Sequence, residues 1–339
     1  MRALVTGGTG FLGRAIIRRL LERGDGVRSF SRGAHADLEM LGVECVRGDV
    51  ADADAVSHAV EHCDVVFHAA ARVGGWGPRQ EFARTNVAGT ENVIAACRRR
   101  AVSRLVFTST PSVVHPGRDI EGANESLPYA KHFTAAYPAT KAEAERLVIA
   151  ANDAALATVA LRPHLIWGPG DTQLIPRLLE RARSGRLRLV EGGHKLIDAT
   201  WIDDAAEAHV LAADALRPEA ACAGRAYFIA QNDPTPARDL VNGVLAAAGL
   251  PPVTASVPSR VAWLAGALAE LLWSLGRRSD EPPLTRFAAE QLATAHWYDL
   301  SAARRDLGYA PSISTAEGLR RLRVHFEAEA EAEAANDRI

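Results

Sequence analysis

The feature that most limits what this chain can fold into lies in MRALVTGGTGFLGRAIIRRLLERG, at its start. Ala3 to Val5 reads as a short buried strand, and Phe11 to Leu21 carries helical periodicity. Between them Gly7, Gly10 and Gly13 recur every third residue. The first allows a tight turn out of the strand. The second lets the backbone approach a pyrophosphate at the helix N-terminus, where free N–H groups and the helix dipole favour an anion. The third lets helix and strand pack closely. Strand, turn and helix in succession are the context in which this glycine pattern means dinucleotide binding.

The same alternation continues down the chain. Glu44–Val46, Asp64–Ala71, Arg104–Thr110 and Thr158–Pro163 read as strands, separated by helical stretches such as Thr90–Arg100 and Lys141–Asn152. Repeated β–α units predict an α/β, Rossmann-like, doubly wound parallel sheet, whose ligands bind at the carboxyl ends of the strands. With 339 residues, 48% of them apolar, the chain is long enough for a second, smaller unit. The expected division is 1–170, with a return at about 196–229, for the dinucleotide. Residues 171–195 and 230–325 would form a discontinuous substrate unit. A net charge of −2 gives no electrostatic case for nucleic acid. Cys45, Cys63, Cys97 and Cys222 have neither paired nor metal-ligand spacing, so free thiols and no metal are expected. MRALVTGG lacks the charge and apolar length of a secretory signal, and the cytoplasm is the expected compartment.

The strand after the first helix bears on the cofactor. An NAD-preferring site usually ends this strand in an acid that accepts from the ribose hydroxyls. In Val27-Arg28-Ser29-Phe30-Ser31-Arg32 that acid is absent. Ser31 stands there with Arg32 beside it, and a guanidinium suits a 2′-phosphate in charge and geometry. NADP(H) is therefore favoured over NAD(H), with tolerance of both as the alternative.

Tyr137-Pro138-Ala139-Thr140-Lys141 carries the chemistry. Residues four apart share a helix face, and with five Tyr and only three Lys in the chain the pairing is unlike chance. A phenol has a pKa near ~10, and a neighbouring ammonium lowers it. Tyr137 would then exchange a proton with a carbonyl or alcohol, while the hydroxyl of Thr110 or Ser109, at a strand end, orients the reacting oxygen. His68, before three alanines, reads as a packed imidazole rather than a catalyst.

Taken in order, the glycine loop, Gly48-Asp49, Phe67-His68-Ala69-Ala70-Ala71, Asn86, the hydroxyl-ended strand, Tyr137-x-x-x-Lys141 and Leu161-Arg162-Pro163 to Asp171 resemble the extended short-chain dehydrogenases/reductases. Pro283 to Phe287 and Ser301 to Pro311 are similar to the 3β-hydroxysteroid dehydrogenase-like branch. Thr108 to Val113 and His296-Trp297-Tyr298 are similar to its bacterial members that reduce long-chain 2-alkyl-3-oxo acids with NADPH for olefin biosynthesis. The resemblance implies Thr110, Tyr137 and Lys141 as catalytic residues, with Lys141 also on the nicotinamide ribose. It implies Gly7, Gly10, Phe11, Leu12, Ser31, Arg32, Asp49, Val50, Ala69, Ala70, Tyr137, Lys141 and Pro163 around the cofactor. It also implies a long-chain, hydrophobic oxo or hydroxy acid as substrate, and a homo-oligomer is expected.

Val257 to Gly276 is the most apolar stretch, with Val261, Leu264, Leu268, Leu271 and Leu275 on one helical face, flanked by Trp263 and Trp273. It reads either as a core helix of the smaller unit or as a lid, a membrane-surface contact or a dock for pathway enzymes; its uninterrupted apolar portion, Val261 to Ala269, is too short to span a bilayer. The long segment from Pro111 to Ala136 carries His115, Arg118, Lys131 and His132, any of which could meet a substrate carboxylate; otherwise it is a polar flap. Residues 326–339 are expected to be a frayed helix or disordered. Three alternatives share the glycine loop. They are a 3β-hydroxysteroid or sterol dehydrogenase, a nucleotide-sugar epimerase or dehydratase, and a non-enzymatic NADP sensor. The Tyr137/Lys141 pair disfavours the sensor, and the apolar 257–276 stretch disfavours the epimerase.

Overall fold

A computed structural model of the chain describes residues 1–33, 36–278 and 280–336. Seven strands form the main sheet: β1 (Arg2–Thr6), β2 (Gly26–Ser31), β3 (Glu44–Arg47), β4 (Val65–His68), β5 (Arg104–Thr108), β6 (Ala157–Pro163) and β7 (Arg225–Ile229). They run β7-β6-β5-β4-β1-β2-β3, with every pairing parallel. Such strands are covered on both faces and read as continuous apolar runs. Successive residues divide between two cores accordingly. Ala3, Val5, Val65 and Phe67 pack on one face with Ile16 and Leu20; Leu4, Val66, Leu105 and Phe107 pack on the other with Val93 and Val148. The chain winds outward from β1 through β2 to β3, then from β4 in the opposite direction. The crevice between β1 and β4, at their carboxyl ends, is the position where such sheets bind ligands.

Among the helices, α1 (Phe11–Glu22) and α2 (Ala136–Ala150) position the site, and α3 (Ser259–Leu275), α4 (Arg286–Ala293) and α5 (Thr315–Asn336) lie in the last third of the chain. A second sheet combines Thr235–Pro236, Leu196–Ile197, His296–Tyr298 and Ile120–Ala123, in that order. Its last strand comes from the segment expected to be a flap. That segment is ordered by distant partners: Ile120 N donates to Ala295 O at 2.7 Å, and Asp299 N to Ala123 O at 3.0 Å.

The structure bears on two readings left open by the sequence. α3 is not a core helix. Its small residues Ala262 and Gly266 face inward with Glu270, and a Cβ on Gly266 would lie 2.8 Å from the Thr285 carbonyl carbon at the start of α4. The Val261, Leu264, Leu268, Leu271 and Leu275 face points outward and is 52–74% exposed. No described helix is long and apolar enough to cross a membrane. Likewise the acidic–alanine end is helical to Asn336 as part of α5. Ala and Glu are good helix formers, and His325 pairs with Glu329 one turn on. The last three residues lie outside the described ones.

Candidate active site

The glycine loop is shaped by contacts that leave no room for side chains. Gly7 has φ +69°, and a Cβ there would meet the Ala70 backbone at 2.8 Å and the Ala69 carbonyl carbon at 3.2 Å; a Cβ on Gly13 would lie 2.2 Å from Gly7 O. Gly10 caps α1 without a side-chain hydrogen bond, and the first turn, which opens with the half-buried Phe11 and Leu12, carries no acid. A close backbone approach and an uncapped helix N-terminus beside the β1/β4 crevice fit the pyrophosphate of a dinucleotide.

His68 braces that crevice from below. Thr90 Oγ1 donates to Asn86 O at 2.6 Å, so it accepts from His68 Nε2 at 3.0 Å; His68 Nδ1 then accepts from Thr6 at 2.7 Å, and Thr6 Oγ1 accepts from Ala70 N at 3.2 Å. Burial, together with the Lys141 charge, pushes the imidazole down to about 3. It is a neutral structural link, as its sequence context indicates.

At the end of β2, Ser31 is half-buried and Arg32 exposed, with Arg47 Nε holding Arg32 O at 2.8 Å. Asp49 follows β3. Burial works to raise its carboxyl, but the Ala51 backbone, Arg84 and Arg32 keep it below its ordinary value. Val50 beside it is buried, packed where a Cβ on Gly89 would touch it.

The reactive side chains gather at the carboxyl ends of β5 and β6. Thr108 pairs with Leu161, so the residues after Thr108 run beside Arg162 and Pro163. Of the two candidate hydroxyls, Ser109 Oγ is buried with no partner, whereas Thr110 hydrogen-bonds Ser112 and the Tyr137 phenol. Tyr137 enters in the first turn of α2. Burial pushes its phenol up to about 12, and the Thr110 hydrogen bond opposes this.

Lys141, one turn on, is nearly fully buried. Its Nζ donates to Thr108 O at 2.5 Å and lies 3.9 Å from the Phe107 ring centre, while burial pulls the amine down to about 7 against the Glu145 charge. The ammonium is therefore turned onto β5, and it is burial rather than Lys141 that dominates the phenol in this arrangement.

Several residues here have no role assigned from the sequence, although Asn86 and Arg162 lie in stretches that carry the family resemblance. Asn86 sits in a π-helical turn, Ala83–Ala88, a distortion common at functional sites. Its amide clamps Arg72 N at 2.7 Å and Arg72 O at 3.0 Å, and donates to Thr140 Oγ1 on α2 at 3.0 Å. Glu145 and Arg162 form a buried ion pair behind Lys141; the four-residue step from Lys141 puts Glu145 on the same helix face, but nothing in the sequence pairs it with Arg162. Of the flap residues, Arg118, Lys131 and His132 are exposed, while His115 is buried against Thr294 of the 286–295 region at 3.1 Å. No cluster of His, Cys, Asp or Glu among the described residues could hold a metal.

A doubly wound parallel sheet, a glycine-lined crevice at its switch point and a Tyr–Lys helix at its carboxyl edge define an NAD(P)-dependent oxidoreductase of the short-chain dehydrogenase/reductase kind. Residues 4–258 match the 3-beta hydroxysteroid dehydrogenase/isomerase family, and the chain belongs to it. It is 56% identical over 326 residues to a 2-alkyl-3-oxoalkanoate reductase of Stenotrophomonas maltophilia, covering 96% of this chain and 99% of that protein. A protein of the same name from Shewanella oneidensis is 46% identical, over 95% of this chain and 85% of its own length. Among solved structures, gox2253 superposes with a TM-score of 0.76 at 25% identity, covering 96% of this chain and 98% of that one.

Proposed function

We propose that this oxidoreductase reduces the 3-keto group of a long-chain 2-alkyl-3-oxoalkanoic acid to the 2-alkyl-3-hydroxy acid, with NADPH, in olefin biosynthesis. The observation that carries the proposal is the near full-length similarity to two reductases named for that substrate. The site chemistry agrees with it. A bound nicotinamide dinucleotide supplies the hydride. Tyr137, protonated at neutral pH because burial holds it near 12, gives its proton to the keto oxygen. Thr110 donates a second hydrogen bond to that oxygen. Lys141, one helical turn from the phenol, would favour loss of the Tyr137 proton by its charge and would hold the ribose. Gly7, Gly10, Phe11 and Leu12 would hold the pyrophosphate, Ala69, Ala70 and Pro163 the nicotinamide half, and Asp49 and Val50 the adenine end.

The absence of an acid at the end of β2, and Arg32 in its place, support NADPH over NADH. In this proposal residues 1–170 and 196–229 hold the cofactor, and 171–195 with 230–325 receive the substrate. The outward apolar face of α3, with Arg260 and Arg277 at its two ends, lies on a lipid surface from which a two-chain substrate enters.

The test runs the reaction backwards, because long-chain 3-oxo acids lose CO₂ unaided. NADP⁺ reduction is followed with a 2-alkyl-3-hydroxy acid and, separately, with a 3β-hydroxysteroid, for the wild type and Tyr137→Phe. Turnover of the acid alone, lost in the variant, is the expected result. Turnover of the steroid alone keeps the chemistry and overturns the substrate.

A further inference from the structure

Glu145 has no exposed surface, and it lies four residues after Lys141 on α2. Residues at that spacing lie on one helix face, with Cβ atoms roughly 5–6 Å apart. Arg162 forks onto the Glu145 carboxylate from β6, Nε to Oε2 at 3.0 Å and Nη2 to Oε1 at 2.6 Å. Tyr129 OH donates to Oε1 at 2.8 Å. Arg162 also lies 5.2 Å from the Phe228 ring centre and 5.7 Å from that of Tyr129, whose ring Arg146 covers at 4.0 Å. The carboxylate is thus fixed in position from three elements. A buried ion pair is often no more stabilising than apolar residues of the same volume, so stability alone does not account for this one.

The groups around Lys141 give the pair a use. From β5 it faces the Thr108 carbonyl and the Phe107 ring, and from β4 the neutral His68. On its own helix it faces Tyr137 and Glu145. Of these groups Glu145 is the one carboxylate. We propose that Glu145 is a positioning residue for the reaction: held by Arg162 and Tyr129, it keeps the Lys141 ammonium charged in its buried seat one helical turn away. The inference rests on the role given above to Lys141 beside Tyr137. Burial draws the Lys141 amine down to about 7 and Glu145 acts against this. Without the carboxylate the amine is neutral at working pH, and the positive charge that favours loss of the Tyr137 proton is gone.

The chain has three lysines, Lys131, Lys141 and Lys195, which makes a direct measurement tractable. The cofactor-free protein is labelled with ¹⁵N-lysine and the side-chain signals are titrated, with Lys141→Met assigning the buried one. The Lys141 midpoint is expected near 7, far below the other two. Glu145→Gln is expected to lower it by about one unit, a tenfold fall in the ratio of charged to neutral amine. Glu145→Asp, which keeps the charge but draws it back by one methylene, gives a smaller shift in the same direction. In the holoenzyme the high-pH limb of kcat moves down with the midpoint, while the KM for NADPH at low pH stays put.

An unchanged Lys141 midpoint in Glu145→Gln overturns the inference. If that variant does not fold, an unchanged midpoint in Glu145→Asp does so. Failure of the underlying role is seen separately: Lys141→Met would then turn over substrate like the wild type, whatever the titration shows.

Discussion

A Cβ on residue 13 would stand 2.2 Å from the carbonyl oxygen of Gly7, so the first turn of α1 touches the loop that leaves β1. The neighbour is backbone and cannot swing aside. Gly13→Ala therefore forces helix and loop apart, at a cost of about 1–3 kcal/mol from overpacking. A lowered melting temperature and a weakened NADP(H) affinity by fluorescence titration are expected together. Normal cofactor affinity in the variant would show that the loop has another job.

Arg32 decides between the two dinucleotides if the 2′-phosphate lies at the end of β2. A hydrogen bond to a charged group is worth about 1.5–3 kcal/mol. Arg32→Ala should then raise the KM for NADPH by about 10- to 100-fold and leave that for NADH nearly unchanged. Because the side chain is exposed, thermal stability should not move. Equal losses with both cofactors would remove Arg32 from the discrimination.

The outward face of α3 is testable without deleting it, which matters because Glu270 holds Arg286 at the start of α4. Leu264→Glu combined with Leu268→Glu changes only exposed positions. The wild type is expected to float with anionic lipid vesicles and the double variant to stay behind, at the same melting temperature. A wild type that ignores vesicles of every composition defeats the lipid-surface proposal.

Stability should fall on acidification below neutral pH. Burial pushes His68 and His164 down to about 3 and His209 down to about 4, well below the ordinary imidazole value of 6.5. Their folded values are depressed, so the stability they contribute is present above 6.5. It is lost as pH falls toward the folded values, because the unfolded chain takes up the protons first. Each imidazole that stays neutral adds a slope of about 1.4 kcal/mol per pH unit in that window. Urea midpoints at pH 7.5, 6 and 5 should drop steeply; a flat profile would mean that these histidines are protonated in the fold.

Local features were the legible ones. The glycine loop and the parallel strands follow from short-range pattern, and the Tyr137/Lys141 spacing puts both on one helix face. What escaped depends on contacts across the chain. Ile120–Ala123 becomes a strand only because residues near 296 pair with it. For α3 the periodicity displayed two faces without saying which was bare. The small residues Ala262 and Gly266, which let α4 approach, were the available sign that the leucines lay outside. The partnership of Glu145 with Arg162 joins a helix to a strand and has no signature in either alone.

The pairing of Ile120–Ala123 with His296–Tyr298 also bears on how the enzyme comes into being. The segment joining Thr110 to Tyr137 is stitched to a strand made 176 residues later, His296 pairing with Ile120. A nascent chain can assemble β1 to β6 while synthesis continues, but Ile120–Ala123, within the span between its two reactive side chains, has no strand to pair with until residue 298 has left the ribosome. Activity should therefore appear abruptly and late in synthesis, and truncation before residue 296 should leave a protein that binds dinucleotide yet performs no chemistry.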